Sequence, residues 1–276
     1  MTMPVDLHIH TTASDGADSP ERVVEMARAA GLEAVALTDH DTVGGCGRAM
    51  ATGRKCGLEV VAGVELGAFH NGMEVHILGY LVELDDSAFL GQLETLRRKR
   101  LGRMDRMVEL LRRMGYPLEM ERVLAISGGG AIGRPHLAAA LVETGAVESA
   151  AEAFEKLIGN GCPAYVPRCK LEPLEAIRMI RSAGGLPVLA HPGLDDAGSL
   201  AAGLIAGGLA GLEAHHPAHT REQANYYERL ARRENLIVTG GSDYHGCERK
   251  PGCHLGAATV PYSVLKEMKR RRAAPA

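Results

Sequence analysis

VDLHIHTTASDG, residues 5–16, is the stretch on which both the fold and the chemistry turn. Val5, Leu7 and Ile9 alternate as a short buried strand would, which places Asp6, His8 and His10 together on the opposite face. His8 and His10 then lie about 6.6 Å apart along the strand, a spacing from which two imidazoles can converge on one cation. The competing reading is a pair of hydrogen-bonded core histidines. A further acid, Asp15, follows within a few residues.

Outward from this strand, Ser19-Pro20-Glu21 reads as a helix start, with Ser at the N-cap and Pro in the first turn. The helix ERVVEMARAAG stops at Gly31, and EAVALTDHD is a buried strand with a polar end. A glycine-rich helix runs to about Gly57, EVVAGVEL is a strand ending near Glu65, and Asn71-Gly72 turns a hairpin. From Asp85 the pattern changes: Leu90, Leu93, Leu96, Leu101, Met104, Met107, Leu111 and Met114 follow helical spacing. Residues 85–165 are therefore read as a helical insertion. Alternation resumes with a helix over 173–182, strands LPVLAHP and LAGLEAHHP, helix REQANYYERLARREN and strand LIVTGGSDYHG. The basic end KRRRAAPA is read as frayed. Repeated βα units predict an α/β fold, a closed or distorted barrel made of residues 1–84 and 166–276.

Composition narrows the function classes. The chain has 276 residues, 46% hydrophobic, enough for a large core. A net charge of −3 gives no global case for duplex DNA or membrane binding. No apolar run approaches the ~18–20 residues of a membrane span, and no signal peptide is visible. The six cysteines, at 46, 56, 162, 169, 247 and 253, form no C-x-x-C pair and read as reduced thiols of a cytoplasmic protein. Nothing in the sequence fixes an oligomeric state. Twelve histidines stand out against 4% aromatic residues.

Repetition decides between the two readings of His8 and His10. LTDHD places His40 at the end of the second strand, GVEL places Glu65 at the end of the third, and MEVHILG places His76 in the hairpin. VLAHP ends in His191, and GGSDYHG delivers Asp243 and His245. In βα barrels the site forms at the mouth where strands end. Unpaired acids and imidazoles converging there would be costly to bury, and cations stabilise them. Six histidines and three carboxylates, counting Asp15, exceed the demand of one four- to six-coordinate ion. Two or three divalent ions with a bridging carboxylate would use them. Mixed ligation suits manganese, zinc or iron, with manganese the first expectation. Clustered cations suit phosphate-ester hydrolysis.

The set DLHIHTTASDG, ALTDHDT, GVEL, LAHPG and GGSDYHG resembles the successive motifs of the PHP (polymerase and histidinol phosphatase) family. The resemblance covers both barrel segments. Within the family, the chain is most similar to a stand-alone branch of nucleoside 3′,5′-bisphosphate phosphatases and 5′→3′ exoribonucleases. It implies a distorted barrel of seven βα units and a trinuclear site. One metal would take His8, His10, Glu65 and Asp243, a second Glu65, His76 and His191, a third Asp15, His40 and His245. A metal-bridging hydroxide is the implied nucleophile. The activity implied is removal of the 3′-phosphate of nucleoside 3′,5′-bisphosphates, such as 3′-phosphoadenosine 5′-phosphate, with trimming of short 5′-phosphorylated RNA beside it. The rival readings are a histidinol-phosphate or other small-monoester phosphatase, and a non-catalytic metal-binding PHP module.

Phosphate contacts are expected from the insertion. LRRKRLGRMDR offers Arg97, Lys99 and Arg100, with Arg97 and Arg100 one helical turn apart. In AIGRPH, Arg134 precedes a helix-starting Pro135, and His136 either joins it or caps the helix. The resemblance puts Arg134 on a substrate phosphate and His219 near the substrate, as a phosphate contact or proton donor. Glu213 reads as a supporting acid and His216 as a surface histidine, while His70 and His254 are read as structural. Asp39 and Asp41 are read as orienting His40 or capping the next helix. Asp6 has no reading.

Overall fold

The computed structural model describes residues 4–167, 171–194, 197–247 and 253–273. Cys169 and the last three residues of the basic end lie outside them. Among the described residues the elements run β1 (Pro4–Ile9), α1 (Pro20–Ala29), β2 (Ala34–Leu37), α2 (Cys46–Cys56), β3 (Glu59–His70), β4 (Met73–Tyr80), α3 (Ser87–Arg113), α4 (Met120–Ser127), α5 (Arg134–Glu143), α6 (Ala150–Ala153), α7 (Pro173–Ser182), β5 (Leu186–Leu189), α8 (Ala201–Ala206), β6 (Gly211–His215), α9 (Arg221–Arg233), β7 (Ile237–Gly240), β8 (Val260–Pro261) and α10 (Tyr262–Ala273). A π-helical turn, Phe154–Ile158, follows α6, and a 3-10 turn, Ala197–Leu200, precedes α8. Contacts divide the chain into two compact units, Met1–Gln92 with Lys170–Ala276, and Leu93–Cys169.

The first unit is built on an eight-stranded sheet ordered β7-β6-β5-β4-β3-β2-β1-β8. Ile9 bridges Tyr244 in parallel, and the His10 N–H donates to the Tyr244 carbonyl at 2.8 Å, so β1 meets the chain just after β7 and the barrel nearly closes. The barrel is not uniformly parallel. β4 runs antiparallel to both β3 and β5, because the hairpin returns directly instead of crossing over through a helix. Its turn needs positive φ at both central residues, and Asn71 (48°) and Gly72 (89°) supply it. Glu65 accordingly lies inside a twelve-residue strand rather than at a strand end: β3 leaves β2 after Ala62 and continues on β4 to His70. The basic end is helical through Ala273. Lys269 pairs with Glu59, Arg270 and Arg271 with Glu267, and Arg272 with Glu83, which holds the last turn against fraying.

Val5 and Leu7 pack with Val260, Leu265 and Met268, and these five, Asp6 and His8 are all buried. The pairing of β1 with β2 shifts register between Asp6 and Ile9, so simple alternation breaks there. Asp6 accepts from the backbone N–H groups of Ser242 and Gly256, each at 2.9 Å, tying β1 to the chain after β7. Burial pushes its carboxyl up to about 6, against these hydrogen bonds. At Gly241 the backbones approach so closely that a Cβ would sit 2.3 Å from the Cβ of His8.

The second unit has its own apolar core, with Met104, Met107 and Leu111 of α3 against Leu137 and Leu141 of α5 and Leu157 and Ile158. Leu101 and Met114 share the helical spacing but are exposed. The five described cysteines form no disulfide with one another, and no described helix is long and apolar enough to cross a membrane.

Candidate metal centre

All nine residues expected to bind metal are in the first unit, and they converge. Three groups have donor atoms within 4.8 Å of one another: His8, His10 and Asp243; His40, Glu65 and His76; and His10, Asp15, His40 and His245. His191 lies outside these groups and reaches the cluster through Glu65, with Nε2 3.2 Å from Oε1.

Glu65 is central. Its Oε1 lies 2.8 Å from His76 Nδ1 and 3.2 Å from His191 Nε2. Its Oε2 lies 3.4, 3.1 and 3.1 Å from His8 Nε2, His10 Nε2 and His40 Nδ1. One carboxylate oxygen thus faces each of two imidazole sets. Asp243 Oδ1 joins the second set, 3.4 Å from His8 Nε2 and 3.3 Å from His10 Nε2. The two Nε2 atoms are themselves only 3.1 Å apart.

The remaining ring nitrogens show which face each imidazole presents. His8 Nδ1 is 3.0 Å from Glu213 Oε1, His76 Nε2 is 3.1 Å from Glu74 Oε1, and His245 Nδ1 is 2.9 Å from the Asp243 carbonyl. Each rearward partner is an acceptor, so the rearward nitrogen carries the proton. In the neutral ring the nitrogen facing the centre keeps its lone pair, which is the arrangement of metal-ligating histidines. His10 Nδ1 is buried and makes no hydrogen bond. A buried polar atom in that state is costly unless an ion or ligand completes it. The residues present fit a multi-cation group.

Without cations, protons do the balancing. Burial opposes the charged forms throughout. The hydrogen bonds to Asp243 and Glu65 outweigh it for His10, pushing that imidazole up to about 10, and Glu65 does the same for His76, to about 9. Burial likewise opposes ionisation of Glu65, but His76, His40 and His8 hold its carboxyl well below the usual range. A ligating imidazole must be neutral. Glu213, Glu65 and Asp243 likewise hold His8 well above the usual imidazole range, so cation uptake near neutral pH should release protons from His8, His10 and His76, and affinity should fall as pH falls. Calorimetric titration in buffers of different ionisation enthalpy measures this; heats independent of buffer would contradict it.

Backbone geometry is also unusual here: His191 (φ 25°) and Asp243 (φ 50°) are both left-handed without being glycine. Such conformations persist where surrounding structure holds them, and they concentrate at functional sites.

Several residues sit differently from expectation. Asp39 neither orients His40 nor caps α2. It accepts from the Thr11 N–H (2.7 Å), the Thr11 hydroxyl (2.8 Å) and the Ser14 hydroxyl (2.7 Å), shaping the loop that carries Asp15. Asp41 accepts from the Gly67 N–H, and the N-cap of α2 is Gly45, which offers no side-chain cap. His216 is buried rather than a surface histidine. Both nitrogens of His219 are engaged by backbone: Nδ1 donates to Ala214 O (2.9 Å) and Nε2 accepts from Gly193 N–H (3.0 Å). In that state it braces the chain after His191, with its ring proton directed at the Ala214 carbonyl. Glu213, besides orienting His8, accepts from the His191 N–H at 2.7 Å. An acid flanked by apolar residues in LAGLEA was its signal in the sequence.

In the second unit, Arg97 and Arg100 both point at the segment after α4, donating to the carbonyls of Gly129 and Ile132. Arg100 is buried, whereas Lys99 is exposed. The Arg134 guanidinium lies over the rings of Phe154 and Tyr165 and reaches Asn160. His136 caps its helix, its Nδ1 accepting from the Gly133 N–H.

Comparison with known proteins accords with this geometry. A phosphoribosyl 1,2-cyclic phosphate 1,2-diphosphodiesterase of Eggerthella lenta is 38% identical, covering 87% of this chain and 94% of that protein. A 3′,5′-nucleoside bisphosphate phosphatase of Chromobacterium violaceum is 33% identical (87% and 87%), and a 5′-3′ exoribonuclease of Salmonella typhimurium 36% identical (87% and 84%). The crystal structure of a protein from Bifidobacterium adolescentis, assigned as a metal-dependent phosphoesterase, superposes with a TM-score of 0.89 at 34% identity, covering 98% of this chain and 96% of that one. The PHP domain model matches residues 6–160. The protein is a hydrolase of the metal-dependent phosphoesterase class, and its chain belongs to the PHP domain family.

Proposed function

We propose that the protein removes the 3′-phosphate from nucleoside 3′,5′-bisphosphates at a centre of two to three divalent cations, manganese foremost. The observation that carries the catalytic part is Glu65, whose two oxygens face two separate sets of imidazoles. In this reading Glu65 would be shared: His8, His10 and Asp243 would hold one cation with it, and His76 and His191 a second. Asp15, His40 and His245 would hold a third. Bound divalent cations would supply Lewis acidity toward phosphoryl oxygens and acidify water. The chain's own contribution is to fix the ligands in place. Glu213 and Glu74 set the tautomers of His8 and His76, and Asp39 shapes the loop leading to Asp15.

The substrate class rests on the Chromobacterium violaceum relative. The higher identity to the Eggerthella lenta enzyme favours a second reading, a cyclic phosphodiester opened and then dephosphorylated at the same centre. Manganese-loaded protein offered 3′-phosphoadenosine 5′-phosphate, phosphoribosyl 1,2-cyclic phosphate, histidinol phosphate and short 5′-phosphorylated RNA separates these. The first is expected to release phosphate with the highest kcat/KM. Turnover of the cyclic phosphate alone would replace this reading with the second.

A further inference from the structure

His216 takes part in the centre without being one of its expected ligands. It is buried, its ring centroid lies 5.4 Å from that of His191 and 6.4 Å from that of His8, and Nε2 is 3.4 Å from Asp243 Oδ2. Its other nitrogen settles its role. Nδ1 accepts a hydrogen bond from the Ala218 N–H at 3.1 Å, so Nδ1 carries the lone pair and the ring proton sits on Nε2. This is the reverse of His8, His76 and His245, whose rearward nitrogens face acceptors and whose forward nitrogens keep lone pairs. The forward nitrogen of His216 is a donor, and a donor cannot ligate a cation.

Asp243 has reason to need such a partner. Its backbone sits at φ 50°, a region that nothing in an aspartate's own preferences enforces. Its Oδ1 faces His8, His10 and His245, at 3.4, 3.3 and 3.5 Å, while Oδ2 faces His216. A carboxylate free to rotate about its last torsion would exchange the two oxygens. A donor fixed on Oδ2 removes that freedom and leaves Oδ1 on the centre.

We propose that His216 is a positioning residue for Asp243: its Nε2–H, fixed by the Ala218 N–H behind the ring, holds Oδ2 and thereby presents Oδ1 to a cation. The proposal rests on the metal-centre reading above. It differs from that reading in assigning a role in cation affinity to a residue outside the nine.

Three substitutions test it, read by manganese affinity in calorimetry, by metal content after gel filtration and by melting temperature of the metal-free protein. His216→Leu fills the space without a donor. His216→Asn is polar but its amide stops short of Oδ2. His216→Gln carries an amide N–H at the reach of Nε2. Removing a partner of a metal ligand typically weakens affinity by about 10–100-fold. His216→Leu and His216→Asn should fall in that range, and His216→Gln should recover most of the loss. If the Leu variant does not fold, the Asn–Gln pair carries the comparison alone. Wild-type affinity in the Asn variant, or equal losses in the Asn and Gln variants, overturns the positioning role. Complete loss of one cation equivalent in all three makes His216 a ligand and overturns it too. Wild-type protein that binds no manganese instead overturns the metal-centre reading itself, so the two failures are distinguishable.

Discussion

Glu65→Gln is expected to lower phosphate release at least about a thousandfold, which corresponds to about 4 kcal/mol of lost transition-state stabilisation. The substitution keeps the shape of the side chain and removes its charge. Five imidazoles, from His8, His10, His40, His76 and His191, lie within 3.4 Å of its two oxygens. A glutamine offers one acceptor oxygen and turns an N–H₂ toward the other set, so it cannot serve both sets as an anion. Cations worth several kcal/mol to a developing phosphoryl charge would lose their shared ligand. The fold should persist, because β3 is held by its backbone pairing with β2 and β4 rather than by this side chain. The measurement is turnover of 3′-phosphoadenosine 5′-phosphate alongside elemental analysis. Metal content and turnover matching the wild type would remove Glu65 from the centre.

Asp39→Ala should cost roughly 3–5 kcal/mol of stability, a large effect for one residue, because it strands buried donors. The carboxylate is almost fully buried and accepts from a backbone N–H and two hydroxyls, all at 2.7–2.8 Å. The hydroxyls can turn elsewhere; the Thr11 N–H cannot. Because this loop leads to Asp15, the variant should also bind less metal. Urea unfolding of metal-free protein measures the first effect and manganese titration the second. Asp39→Asn, which keeps one acceptor oxygen, should lose less. A change below about 1 kcal/mol in the alanine variant would show that the loop is held by other means.

Much of this molecule was legible in one dimension where a local rule acts strongly. Ser19 caps α1 and accepts from the Arg22 N–H, as the Ser-Pro-Glu start predicts. Asn71-Gly72 turns a hairpin because both residues tolerate positive φ. The nine candidate ligands stood out because acids and imidazoles are out of place on otherwise apolar strands. What was misread follows from pairing and register. Glu65 looked like a strand end because the parallel pairing with β2 stops at Ala62, yet the antiparallel partner carries β3 eight residues further. His216 reads as a surface residue because His215, His216 and His219 exceed the ligand demand, whereas folding buries it just past the end of β6, beside Asp243. The C-terminal basic run looked frayed because its acidic partners, Glu59 and Glu83, are far away in sequence.

The sequence by itself therefore determined the element types, the barrel class and the set of acids and imidazoles that cluster, since periodicity, caps and residue chemistry act within a few positions. The tertiary structure alone decided which nitrogen of each histidine faces inward, that the two oxygens of Glu65 face two imidazole sets, that Asp6, Asp39 and Glu213 hold the chain around the site, and that His216 is buried beside Asp243. Those outcomes depend on hydrogen-bond partners up to 250 residues away, as between Asp6 and Gly256, and only folding brings such partners within reach.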